Sequence, residues 1–204
     1  AGLGDAHLDV TIERLKRKFN VEVELTLPRV PYRETVVKKA SGDYTHKKQT
    51  GGHGQYARVA IEVNPLPRGS GLQFRERVVG GSVPKEFIPA VEKGVHETAT
   101  GGVFAGYELT DCEVVLYDGK HHPVDSSEMA FKLAASQALK EAITSAGPQL
   151  LEPVMTIRVS APEANAGDVV SDLNTKRAKI HGINPDGGTS VIEAEVPLAE
   201  VQRY

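Results

Sequence analysis

Two stretches of the chain place side chains that could meet a ligand: Lys47-Lys48-Gln49-Thr50-Gly51-Gly52-His53-Gly54-Gln55-Tyr56 and Gly119-Lys120-His121-His122-Pro123-Val124-Asp125-Ser126-Ser127-Glu128. In the first, Gly51, Gly52 and Gly54 leave backbone amides open to phosphate or sugar oxygens, Gln55 offers a donor and an acceptor, and Lys47 and Lys48 supply charge. That chemistry suits RNA held by shape, and the same residues also describe a glycine-rich hairpin turn with solvated lysines. In the second, His122 precedes Pro123, which favours extended geometry at a loop apex, where a neutral imidazole can donate, accept and stack on a base. His121, His122 and Asp125 could be read as metal ligands. Adjacent histidines point in different directions, however, and Asp125 is better used as a helix cap, so no metal is assigned.

Other chemistries lack their residues. No Gly-x-x-x-x-Gly-Lys-Ser/Thr and no Gly-x-Ser-x-Gly occurs, so neither a phosphate-binding loop nor a nucleophile elbow is present in this sequence. His7, His46, His96 and His181 stand singly and receive no role. The single Cys112 excludes an internal disulfide framework and a multi-cysteine zinc site, and is expected in a buried strand of a cytosolic protein.

Charge separates one segment from the rest. The chain has 204 residues and a formal net charge of −3, against the strongly basic balance of a generic nucleic-acid binder. From Arg33 to Arg58, however, six Lys or Arg face two acids, a local net of +4 that leaves the remainder at −7. A basic finger on an acidic body points to a polyanionic partner. Mean hydropathy is −0.28, and no apolar run approaches the roughly 18 residues of a membrane span.

These segments need elements to hold them. Asp5 is expected to cap a helix with Leu8, Ile12, Leu15 and Phe19 on one face, and Val21, Val23, Leu25 and Leu27 alternate as a strand. Pro28-Arg29-Val30-Pro31 reads as an extended linker. The middle section then predicts a strand near 32–39, a polar loop, a strand carrying Val59, Ile61 and Val63, and a strand at 72–79. A helix bearing Phe87, Val91 and Val95 follows, then a strand at 109–117 closed by an Asp118-Gly119 turn. A second helix starts at an Asp125 cap with Glu128 three residues on and a Val124–Met129 staple, and ends before Gly147-Pro148. From residue 152 the order is β-α-β-β with a helix beginning at Pro197, the first part of a ferredoxin-like unit. Both ends are expected to be incomplete, leaving an apolar sheet face and edge open in the last unit.

The two stretches above, together with Gly4-Asp5-Ala6-His7-Leu8, Ala130-Phe131-Lys132-Leu133-Ala134-Ala135-Ser136, Leu151-Glu152-Pro153, Gly167-Asp168-Val169 and Asp172-Leu173, resemble bacterial elongation factor G in order and spacing across essentially the whole chain. The resemblance implies an α/β (α+β) architecture: residues 1–27 as the end of domain III, 28–150 as domain IV with a ribosomal protein S5 domain 2-like fold, and 151–204 as an incomplete ferredoxin-like domain V.

It further implies that domain IV is a reaching arm whose tip enters the decoding region of the small ribosomal subunit while transfer RNA and messenger RNA advance. The expected RNA contacts are Gly51, Gly52, His53, Gly54, Gln55, His121 and His122 at the tip, Lys47 and Lys48 on the basic finger, and Arg177 near large-subunit RNA. No catalytic, cofactor or metal residue is expected here. GTP and Mg²⁺ would belong to the GTPase domain of a cytoplasmic full-length parent that is monomeric and makes no membrane contact. The family's tip histidine aligns with His122. His121 departs from the usual tyrosine and His53 from a common arginine, which motivates a paralogue acting in ribosome recycling or ribosomal protection as an alternative. A free-standing RNA-binding α/β domain is a further alternative.

Overall fold

The computed structural model describes residues 5–49, 54–202 and 204. Its contacts divide into two compact units, residues 1–29 with 202–204, and residues 30–201.

In the first unit, α1 (Asp5–Phe19) forms as its apolar spacing requires. Asn20, at φ 52, ends it by donating its backbone N–H to Lys16 O at 3.0 Å. The strand expected at Val21–Leu27 does not form: these residues carry no regular structure, and Val21, Val23, Leu25 and Leu27 are exposed. Alternation marks a strand only where a second strand takes up the backbone hydrogen bonds, and no described residue pairs with this segment. Gln202 Nε2 donates to Pro28 O at 2.7 Å.

The second unit opens with β1 (Arg33–Val36), β2 (Ala40–Lys48), β3 (Gln55–Pro65) and β4 (Leu72–Glu76). Then come α2 (Ile88–Gly101), β5 (Cys112–Lys120), α3 (Glu128–Ser145) and β6 (Pro148–Leu151). Four strands make a sheet in the order β2-β3-β5-β4, antiparallel except for the β4–β5 pair. Val59, Ile61 and Val63 of β3, Val114 and Leu116 of β5, and Phe131, Leu139 and Ile143 of α3 join the α2 face in one buried core.

Three expectations change here. The expected loop after residue 39 is β2, whose sheet-inward side carries Gly42 where an apolar residue would have shown the period. A Cβ at Gly42 would strike the Ala138 carbonyl of α3, so the helix crosses directly over the strand. The Asp118-Gly119 turn is instead the continuation of β5, opposite Ala60 and Val59, with an irregularity at Ala60/Ile61 that takes up Tyr117 as an extra residue. Finally, β6 pairs antiparallel with β1 from Arg33↔Leu151 to Val36↔Pro148, a short ribbon with no alternating signature.

The last part is β7 (Val154–Pro162), α4 (Ala166–Thr175), β8 (Lys179–Asp186), β9 (Thr189–Pro197) and α5 (Leu198–Val201), the β-α-β-β order expected. The strands form an antiparallel sheet ordered β7-β9-β8. Leu173, Ile192 and Ala194 are its buried centre, packed by Ile157, Val159 and Ile180. Met155 and Ile183 on the same sheet remain exposed. The fold is mixed α+β throughout, and among the described residues no helix is long and apolar enough to cross a membrane.

Candidate nucleic-acid interface

The strand register brings the two chemistry-bearing stretches to one end of the four-stranded sheet. Lys48 pairs with Gln55 where the β2–β3 hairpin turns, and Lys120 pairs with Arg58 where β5 ends, so the loop after β5 runs beside the hairpin. Thr50, Gly51, Gly52 and His53 lie outside the described residues. Of the expected contacts on this hairpin, Lys47, Lys48, Gly54 and Gln55 are described.

The two loops are joined by direct hydrogen bonds. Asp125 Oδ1 accepts from Gly54 N at 3.1 Å, Asp125 O accepts from Tyr56 N at 2.8 Å, and Ser126 Oγ donates to Tyr56 O at 2.7 Å. The same Ser126 Oγ accepts from His122 N at 2.8 Å. A Cβ on Gly54 would lie 3.0 Å from Asp125 Cγ, so the approach is as close as glycine permits. Asp125 therefore bridges the loops and does not cap α3. The cap is Ser127, whose side chain accepts from Ala130 N, and the expected staple is absent, since Val124 and Met129 are both exposed. A serine in extended geometry two residues nearer the helix outcompetes the aspartate.

His122 is exposed at the apex with its Nδ1 turned inward, 3.3 Å from Val124 N and 3.2 Å from Asp125 N, and its ring edge-on to Tyr56 with centroids 6.3 Å apart. His121 is exposed beside it. The His46 ring Nε2 lies 2.9 Å from Gln55 Oε1, which leaves the Gln55 amide N–H₂ available to donate.

Ion pairing sorts the basic finger by position. Arg58 donates to Asp43 and, at 3.1 Å, to Asp118, and the Asp43 hydrogen bond is the chief reason its guanidinium is held even more firmly in the charged form. Asp118 in turn is held below the usual carboxylate range, first by the Gly119 backbone N–H. Lys39 pairs with Glu62 at 2.7 Å and Arg33 lies 3.9 Å from Glu108. Lys47, Lys48 and Lys120 have no carboxylate partner among the described residues, and all three are exposed where the loops meet. Arg33, Lys39 and Arg58 are thus matched by carboxylates; Lys38, exposed at the opposite end, has none among the described residues, and Lys47, Lys48 and Lys120 leave a group of three at this end for a partner. Lys120 opens the second loop that the resemblance assigns to the tip, and Tyr56 and Ser126 stand in the two stretches read from sequence, but none of the three is named there as an RNA contact or a support.

Arg177, at φ 58 just beyond α4, is clamped: its guanidinium donates bidentately to Glu152 at 2.9 and 3.0 Å and also reaches Glu200 at 3.1 Å. Its donors are turned to carboxylates of its own chain. Among the described residues no group of three or more His, Cys, Asp or Glu is placed to hold a metal ion.

What the described residues can do is grip an anionic backbone: cations at the rim, the Gln55 amide as a donor, and the exposed His121 and His122 rings for stacking.

Residues 28–147 match the family described as elongation factor G, domain IV, and residues 149–204 match the elongation factor G C-terminus. The chain is 50% identical over 202 residues to an elongation factor G-like protein of Thermotoga maritima, covering 98% of this chain and 30% of that protein. It is 49% identical over 203 residues to elongation factor G of Orientia tsutsugamushi strain Ikeda, covering 100% of this chain and 29% of that protein. A crystal structure of a Thermus thermophilus protein superposes with a TM-score of 0.85 at 45% identity, covering 98% of this chain and 30% of that one. The chain thus spans about 30% of the length of the relatives it matches, and it belongs to the elongation factor G family of translation factors.

Proposed function

We propose that this chain is the reaching arm of an elongation factor G-type translocase, an RNA-engaging module that helps move transfer RNA and messenger RNA through the ribosome. In this reading domain IV spans residues 28–150, and its tip, comprising Gly51–Gln55 with His121 and His122, enters the decoding region of the small subunit. Lys47, Lys48 and Lys120 are drawn to RNA phosphates around it. GTP and Mg²⁺ act in the GTPase part of the full-length cytoplasmic protein. Arg177 serves as an internal clamp in this proposal and is dropped as an RNA contact.

One observation carries the reading: two loops joined by hydrogen bonds at one end of the sheet, with the exposed Lys47, Lys48 and Lys120 gathered there without carboxylate partners among the described residues. The test is single-round messenger RNA translocation on ribosomes by the full-length protein with GTP, comparing wild type with His122→Ala. A slowing of at least about tenfold, equal to about 1.4 kcal/mol of barrier, is expected. A wild type that hydrolyses GTP on ribosomes without moving messenger RNA would transfer the assignment to a recycling paralogue. The His53 and His121 departures motivate that second reading.

A further inference from the structure

The His122 side chain has two ring nitrogens, and the geometry divides them between two tasks. Nδ1 faces the backbone N–H groups of Val124 and Asp125 at 3.3 and 3.2 Å. Asp125 Oδ2 lies 3.3 Å from the same nitrogen, but two fixed amide hydrogens converge there against one carboxylate oxygen. The hydrogen-bond network therefore assigns Nδ1 as the acceptor of a neutral ring, with the proton on Nε2. The other oxygen of that carboxylate is also committed, since Asp125 Oδ1 receives the Gly54 N–H at 3.1 Å.

Resting on the reading of this end as RNA-facing, we propose that His122 and Asp125 lock the loop after β5 to the Gly54–Tyr56 end of β3 before RNA arrives. Asp125 is then a positioning residue, and the His122 Nε2–H is the side chain's outward polar group, so the RNA group it meets is a hydrogen-bond acceptor. A joint made in advance loses less ordering entropy on contact than two unjoined segments would.

Two measurements on this chain decide the lock without a ribosome. A long-range ¹H–¹⁵N spectrum of the His122 ring, assigned with His122→Asn, should show a protonated Nε2 and an unprotonated Nδ1; a proton on Nδ1 overturns the assignment. Amide hydrogen exchange at Gly54 should quicken at least tenfold in Asp125→Ala and stay near wild type in Asp125→Asn, which keeps an oxygen in place. Unchanged exchange in Asp125→Ala overturns the bridge.

On ribosomes, with full-length protein, His122→Asn retains an acceptor for the turn, but the amide N–H₂ of its shorter side chain does not reach the position of Nε2. It should translocate at least tenfold more slowly with Gly54 protection intact, and wild-type speed would overturn the outward-donor role. Asp125→Ala should lower the rate at saturating factor at least fivefold at an unchanged half-saturating concentration, with Asp125→Asn restoring it. Equal slowing in both variants would overturn the positioning role. Loss of translocation by the wild type would remove the translation reading and leave the lock to the first two measurements.

Discussion

Glu34 is a fully buried carboxylate whose oxygens accept backbone N–H groups from Val103 at 2.8 Å, Phe104 at 2.9 Å, Ala105 at 2.6 Å and Tyr107 at 3.0 Å. Burial alone would raise its pKa, but these amides outweigh that and hold it below the ordinary glutamate value of 4.5. Because the folded pKa is the lower one, the stabilisation is present above the unfolded value and is lost as pH falls through the folded one. Glu34→Gln places an N–H₂ among donors and should cost about 2 to 3 kcal/mol at pH 7, measured by urea unfolding. The gap between variant and wild type should close as the solution is acidified below pH 4.5. A gap that stays constant into acid would mean the carboxylate charge contributes nothing.

At the scale of elements, α3 separates two aspartate and serine roles that look alike in sequence. Ser127→Ala removes the cap and should destabilise the unit by about 1 kcal/mol and quicken amide exchange in the first turn of α3, whereas Asp125→Ala should leave exchange in that turn at the wild-type rate. Equal quickening there would return Asp125 to the helix. The elements most legible in the sequence were those whose residues report on their own packing. The stripe of α1, the alternation of β3 and the β-α-β-β order of the last part all appear in the structure near their expected ranges. What stayed hidden depended on partners distant in the chain. β2 is a strand because β3 pairs along its length and α3 crosses Gly42. Val21–Leu27 alternates but has no described strand beside it. Asp125 lies 71 residues from Gly54, the residue that determines its use. Gly54, Gln55 and His122 are candidates by residue type alone, while the bonds joining their loops are not legible from the sequence.

For the molecule as a whole, a net charge of −3 would discourage indiscriminate adhesion to nucleic acid, while the unpaired lysines give one end a local attraction. Orientation follows from that asymmetry without any sequence reading. Replacing Lys47, Lys48 or Lys120 by Ala should each weaken ribosome binding of the full-length protein and lower the slope of log affinity against log salt by about 1, whereas Lys39→Ala, which removes a paired cation, should leave the slope nearly unchanged. Equal slopes for all four would place the RNA contact elsewhere.

Cys112, the single cysteine of this chain, is fully buried and burial pushes its thiol up to about 12, so in full-length protein whose cysteines outside this chain are replaced, one added at the surface can be labelled selectively. Val124, 66% exposed at the apex of the His122 loop, is the site to use. Full-length protein with Val124→Cys carrying a tethered iron chelate would be bound to ribosomes and hydroxyl-radical cleavage of ribosomal RNA mapped. Cleavage concentrated in the decoding region of the small subunit is the expected result, and cleavage confined to the large subunit or to the small subunit's outer surface would contradict the reaching-arm account.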